Sequence, residues 1–69
     1  MNLTWKRFDD QLLSAPSKRS GEKYVIVTDN AGMWMATRMA GYRAGIDHLG
    51  FHYTLDAAQR ACADREAQS

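Results

Sequence analysis

Three consecutive runs decide the fold: Tyr24-Val25-Ile26-Val27-Thr28, then Asp29-Asn30-Ala31-Gly32, then Met33-Trp34-Met35-Ala36-Thr37-Arg38-Met39. The first is β-branched and aromatic, a composition that packs well on a pleated surface. The second holds residues that tolerate positive φ, so the chain can reverse there. The third reads as the next strand. A connection this short leaves no room for a parallel crossover, so the two strands pair antiparallel.

Reading outward, Gly41 and Gly45 bracket a second reversal, and Ile46 to Tyr53 forms a third strand. Beyond it Thr54 stands where an N-cap belongs and Asp56 places negative charge in the first helical turn. Leu55, Ala58, Ala61 and Cys62 then share one face, with Asp56, Gln59, Arg60 and Asp64 largely on the other. Upstream, Leu3–Lys6 is expected to be extended. Trp5, Phe8 and Leu12 recur at three- and four-residue spacing, which predicts a helical turn over Phe8–Leu13. Ser14 to Gly21 holds the sole proline and several serines, and reads as a surface loop. The expectation is one α+β domain over 1–69. A three-stranded antiparallel sheet (22–53) is followed by a C-terminal helix (54–67) packed on one face. A short N-terminal strand or helical turn, with its loop, occupies 1–21.

Nine Lys/Arg against eight Asp/Glu give a net charge of +1, far from the footprint of a protein held mainly by phosphates. One cysteine forms no internal disulfide and no Cys-rich zinc site. No apolar run approaches the roughly 18 residues of a membrane helix, and Met1-Asn2-Leu3-Thr4 is too polar for a signal peptide, so a cytoplasmic protein is expected.

Side chains alternate along a strand. In the second strand Trp34, Ala36 and Arg38 oppose Met33, Met35, Thr37 and Met39; in the third, Leu49, Phe51 and Tyr53 oppose His48, Gly50 and His52. Both rows are largely apolar, whereas a sheet with a solvated second face shows polar residues there. One helix covers one face. Either residues 7–20 fold back over the other, or a second copy stacks on it, or another protein docks there.

Trp34-x-Ala36, then Leu49-Gly50, then Thr54-Leu55-x-x-Ala58-x-x-Ala61-Cys62, together with Leu3-Thr4-Trp5 and Gly21-x-x-Tyr24-x-Ile26, resembles small β-β-β-α proteins encoded by phages and prophages. That resemblance implies an accessory factor acting by occlusion, with inhibition of host defence (anti-CRISPR proteins included) as one form. The Leu49-Gly50…Thr54…Ala58 tail is also similar to the ethylene-response-factor type of DNA-binding domain and to the arm-binding domain of tyrosine recombinases. In that pattern Met35, Thr37, Ile46 and His48 would occupy the base-reading positions. None is the Arg or Lys that groove reading favours.

Catalytic and metal chemistry find little support. His48 and His52, four apart on a strand, lie about 13 Å from each other, too far to share a metal. Cys62 falls mid-helix on the apolar face, away from the electropositive setting a reactive thiolate needs. Asp9 and Asp10 are adjacent in a turn, with nothing pairing them across a cleft. The expected function is non-enzymatic, without cofactor, metal or membrane. The chain docks through its sheet on a host or self protein, centred on Met33, Met35, Thr37 and Met39 and rimmed by Tyr42, Arg43, His48 and His52. The alternatives are a nucleic-acid module using the sheet and Lys6, Arg7, Lys18, Arg19 and Lys23, and a structural homodimer.

Overall fold

The computed structural model of the chain describes residues 3–19, 21–29, 31–40 and 45–68. Five strands form one antiparallel sheet in chain order: β1 (Lys6–Asp9), β2 (Leu12–Pro16), β3 (Glu22–Thr28), β4 (Trp34–Ala40) and β5 (Ile46–His52). A single helix, α1 (Leu55–Ala67), follows.

The expected three-stranded sheet is therefore corrected to five strands. The segment Phe8–Leu13 is not a helical turn but the end of β1, a tight turn, and the start of β2. Asp9 makes that turn, its carboxylate accepting the Gln11 N–H at 2.7 Å, an Asx device that competes well against a helix start. The expected loop at Ser14–Pro16 instead pairs with Lys23–Val25. Proline is tolerated there for a geometric reason. Ser17 N–H donates to Glu22 of β3, so the Pro16 nitrogen points to the side where β1 has already ended.

The β3–β4 hairpin forms as the sequence implies. The Asp29 carboxylate accepts the N–H groups of Ala31 and Met33 at 2.9 and 3.0 Å, and Gly32 takes the positive φ of 84° that closes the turn. α1 starts on Thr54, whose hydroxyl accepts the Ala57 N–H at 3.1 Å.

α1 packs on β3, β4 and β5. Tyr24, Ile26 and Ala36 of the sheet meet Ala58 and Cys62 of the helix, all fully buried, with Trp34, Leu49 and Leu55 around them. The small helical side chains let the two layers approach closely. Leu3 and Trp5 pack against this same core, so the segment ahead of β1 joins the helix layer. Two polar ties lock that layer. The Glu66 carboxylate, 4% exposed, accepts the Ser17 hydroxyl (2.7 Å), the Lys18 N–H (2.6 Å) and the Tyr24 hydroxyl (3.0 Å). Burial alone would raise its pKa, but those donors outweigh it and hold the group below the usual glutamate range. Arg38 bridges Glu22 and Asp47, and Asp47 also takes Arg65 of the helix at 3.4 Å. Among the described residues no helix is long and apolar enough to cross a membrane.

Candidate docking face

Since α1 and the Leu3–Trp5 segment lie on one side, the pairing register defines what the other side presents. Three transverse rows result. The first runs Leu12, Val27, Met35, Phe51; the second Lys6, Ser14, Val25, Thr37, His48; the third Pro16, Lys23, Met39, Ile46. Phe8 joins the first row at the β1 edge, with the Lys6 ammonium 5.4 Å from its ring centroid. No strand or helix among the described residues stacks on these rows. Of residues 7–20, the described ones (7–19) do not cover this face. They widen it.

The first row is apolar throughout and the third mostly so, with a largely polar middle row around Val25 between them, and exposure is greatest at the edges. Leu12, Val25, Val27, Met35 and Met39 are half-buried by their neighbours, whereas Phe8, Ile46 and Phe51 stand 58%, 55% and 65% exposed. Thr37, in the middle, is buried. The ammonium groups of Lys6 and Lys23 flank the rows, and the Asp9 carboxylate, paired beside Leu12, is turned into its own turn. The carboxylates of Glu22, Asp47 and Glu66 are all on the helix side. The result is an apolar strip with a cationic margin.

Met35, Thr37, Met39 and His48 thus share the open face, as their alternation implied. Met33 lies in the turn before β4, its N–H held by Asp29, and belongs to the hairpin rather than to the rows. His52 is on the opposite side. It pairs with Trp34, and its Nε2 lies 2.9 Å from the Leu49 carbonyl oxygen. Tyr42 and Arg43 lie outside the described residues. The surprise is Phe51, which alternation grouped with Leu49. A bulge opposite Ala36 inserts one extra residue, Gly50 at φ 98°, so Leu49 faces the core and Phe51 faces out. A glycine inside an aromatic strand was the available signal for it. Phe8 and Leu12 were also absent from the expected face, and Ile46 was grouped with Met35, Thr37 and His48 only in the DNA-binding pattern.

The basic residues do not gather. Lys6 and Lys23 are on the open face, Arg7 pairs with Leu13 on the other side, and Lys18 and Arg19 sit in the β2–β3 turn beside the end of α1. Among the described residues no group of three or more His, Cys, Asp or Glu is arranged to hold a metal ion. Cys62 is fully buried, and burial pushes its thiol up to about 12, the opposite of an activated nucleophile. A half-open groove of about 350 Å³ lies between Leu3 and Trp5 on one wall and Gln59, Arg60 and Ala63 of α1 on the other. No protein family, curated protein or solved structure matches the chain.

Proposed function

We propose that the protein is a non-enzymatic docking module that binds another protein surface through the open sheet face and acts by covering it. One observation carries this: the five-stranded sheet presents an apolar row of Leu12, Val27 and Met35 ending in the exposed Phe8 and Phe51, with Met39 and the exposed Ile46 beyond a polar row, and among the described residues no second layer covers it. Such strips are what soluble proteins use to associate. Its layout, half-buried aliphatics and a few hydroxyls flanked by exposed aromatic and cationic groups, suits a protein interface. The methionines add adaptable, polarizable contact. Nucleic acid ranks behind protein because the cations form no track, and the two phenylalanines are separated by the whole width of the sheet.

The reading is tested with a photo-crosslinking residue placed at Phe51, compared with one at Arg60 on the helix. Protein adducts from position 51 that are absent from position 60 are the expected result. Equal labelling at both, or none at 51, would reject the open face as the docking surface.

A further inference from the structure

We infer that the occupant of the open face is a second copy of this chain. Two sheets stack in a two-fold sandwich, helices outside. The inference rests on the docking reading and names its partner.

Area is the first support. Taking an aromatic side chain at about 150–250 Å², the exposed parts of Phe8, Ile46 and Phe51 with the half-buried aliphatics offer about 500–600 Å² of apolar surface. That is the upper end of what a monomer leaves open, about 300–600 Å². Two such faces fully covered would remove at most about 1,000–1,200 Å², the size at which specific interfaces begin.

Self-complementarity is the second. Stacked sheets lie about 10 Å apart with strands nearly aligned. A two-fold axis along β3 exchanges β1 with β5 and β2 with β4. It sets Leu12 against Met35 of the second copy, Ser14 against its Thr37, Phe8 against its Phe51, and Val25 and Val27 each against itself. Apolar meets apolar and hydroxyl meets hydroxyl over β2, β3 and β4, while at the edges Lys6 meets His48 of the second copy and Ile46 lies beyond the start of its β1. Lys23 also faces its own copy, the one like-charge pair the axis creates.

Need is the third. The buried apolar set in the described residues is Leu13, Tyr24, Ile26 and Cys62 with four alanines, a thin core for a chain of a size at which oligomerisation is one of the devices that add burial. A second sheet doubles the number of buried layers without adding a residue.

Sedimentation equilibrium from micromolar to millimolar protein is the test. The expected mass is twice the chain's 7.8 kDa. Phe51→Asp and Met35→Asp each return the single-chain mass, and Arg60→Asp leaves the pair intact. Phe51 is mostly solvent-exposed, so its variant keeps the folded circular-dichroism spectrum even if Met35→Asp does not. Facing Lys23 residues give a further signature. Lys23→Met tightens the pair roughly two- to five-fold, and added salt strengthens it, because like charges directly opposite are unfavourable. Weakening by Lys23→Met would overturn the two-fold arrangement, as would a pair that survives Phe51→Asp. A wild-type chain that stays at 7.8 kDa throughout overturns the second copy as occupant. Oxidation of Met35 and Met39 by dilute peroxide then separates the two levels. Rapid oxidation in the folded monomer leaves docking on a different protein standing, and protection removes the docking reading as well.

Discussion

Phe51 stands directly opposite Met35 across β4 and β5, although Leu49, two residues earlier, points into the core on the other side of the sheet. Strict alternation forbids that pair of orientations. Gly50 permits it by absorbing one extra residue at φ 98°, a backbone region L side chains rarely adopt. The same residue therefore seals the helix side with Leu49 and arms the open side with Phe51.

Gly50→Ala is expected to destabilise the fold by about 1 kcal/mol or more, a fall in melting temperature of about 4–8 °C per kcal/mol in a domain of this size. The cost is conformational, because the nearest atom to an added Cβ is 3.5 Å away, an ordinary contact. Urea unfolding measures it. An unchanged midpoint would show that β5 can hold its pairing without the left-handed residue.

The Glu66 network gives stability a pH dependence on both sides. Glu66 is held below its usual range by the Lys18 N–H and the Ser17 and Tyr24 hydroxyls, against its own burial, and Asp47 is lowered by its hydrogen bonds to Arg38. A carboxylate with a depressed folded pKa contributes stability present above the unfolded value and lost as pH falls through the folded one. The acid loss therefore starts near pH 4.5, the ordinary glutamate value, and deepens below it. Glu66→Gln should flatten that limb, and Glu66→Ala should cost about 1–3 kcal/mol at neutral pH by leaving the buried Tyr24 hydroxyl unmatched. Tyr24 works in the other direction. Burial first, then the neighbouring Glu66 carboxylate, push its hydroxyl up to about 12, so its contribution is complete below pH 10 and lost as pH rises toward 12. Denaturation followed from pH 3 to 12 checks both limbs, and a flat acid limb in the wild type would contradict the Glu66 assignment.

The hairpin of β3 and β4 and the start of α1 were legible because local chemistry and the final fold agree there: β-branched runs, Asp29 and Gly32 in the turn, Thr54 at the cap. The first twenty residues were not. The bulge at Phe8 breaks the two-residue period of β1, and what remains of Trp5, Phe8 and Leu12 then mimics a helical spacing. The second bulge, at Gly50, shifted His52 to the helix side and Phe51 away from it. Glu66 was illegible for a different reason. A carboxylate near a helix end ordinarily reads as solvated, and its donors at Ser17 and Lys18 lie 49 and 48 positions away in the chain. That Met35, Thr37 and Met39 share a face was legible because no bulge interrupts β4 between them.

Cys62 provides a reporter of the helix layer. Buried, with its thiol pushed up to about 12, it should stay unmodified by a disulfide reagent in the folded protein at pH 8 and react at once in denaturant. Its labelling rate then follows opening of α1 from the sheet. Rapid labelling under native conditions would mean that α1 leaves β3 and β4 readily, and the two-layer core described above would not hold.

Nucleic-acid binding is expected to be weak and to vanish at moderate salt. Phosphate-dominated association scales with the number of cations that can reach one backbone at the same time. Of Lys6, Arg7, Lys18, Arg19 and Lys23, only Lys6 and Lys23 share the open face, and Arg7 pairs on the other. Lys18 and Arg19 sit at the sheet end, where the Lys18 N–H is engaged with Glu66. Two cations give a salt slope of about −1.4 on a single strand and about −1.8 on a duplex, too shallow for affinity of biological use. A titration with labelled single and double strands across salt concentrations measures that slope. Tight binding at moderate salt, lost in Lys6→Ala/Lys23→Ala and accompanied by quenching from bases stacked on Phe8 or Phe51, would instead make this sheet a nucleic-acid platform and displace protein docking as its use.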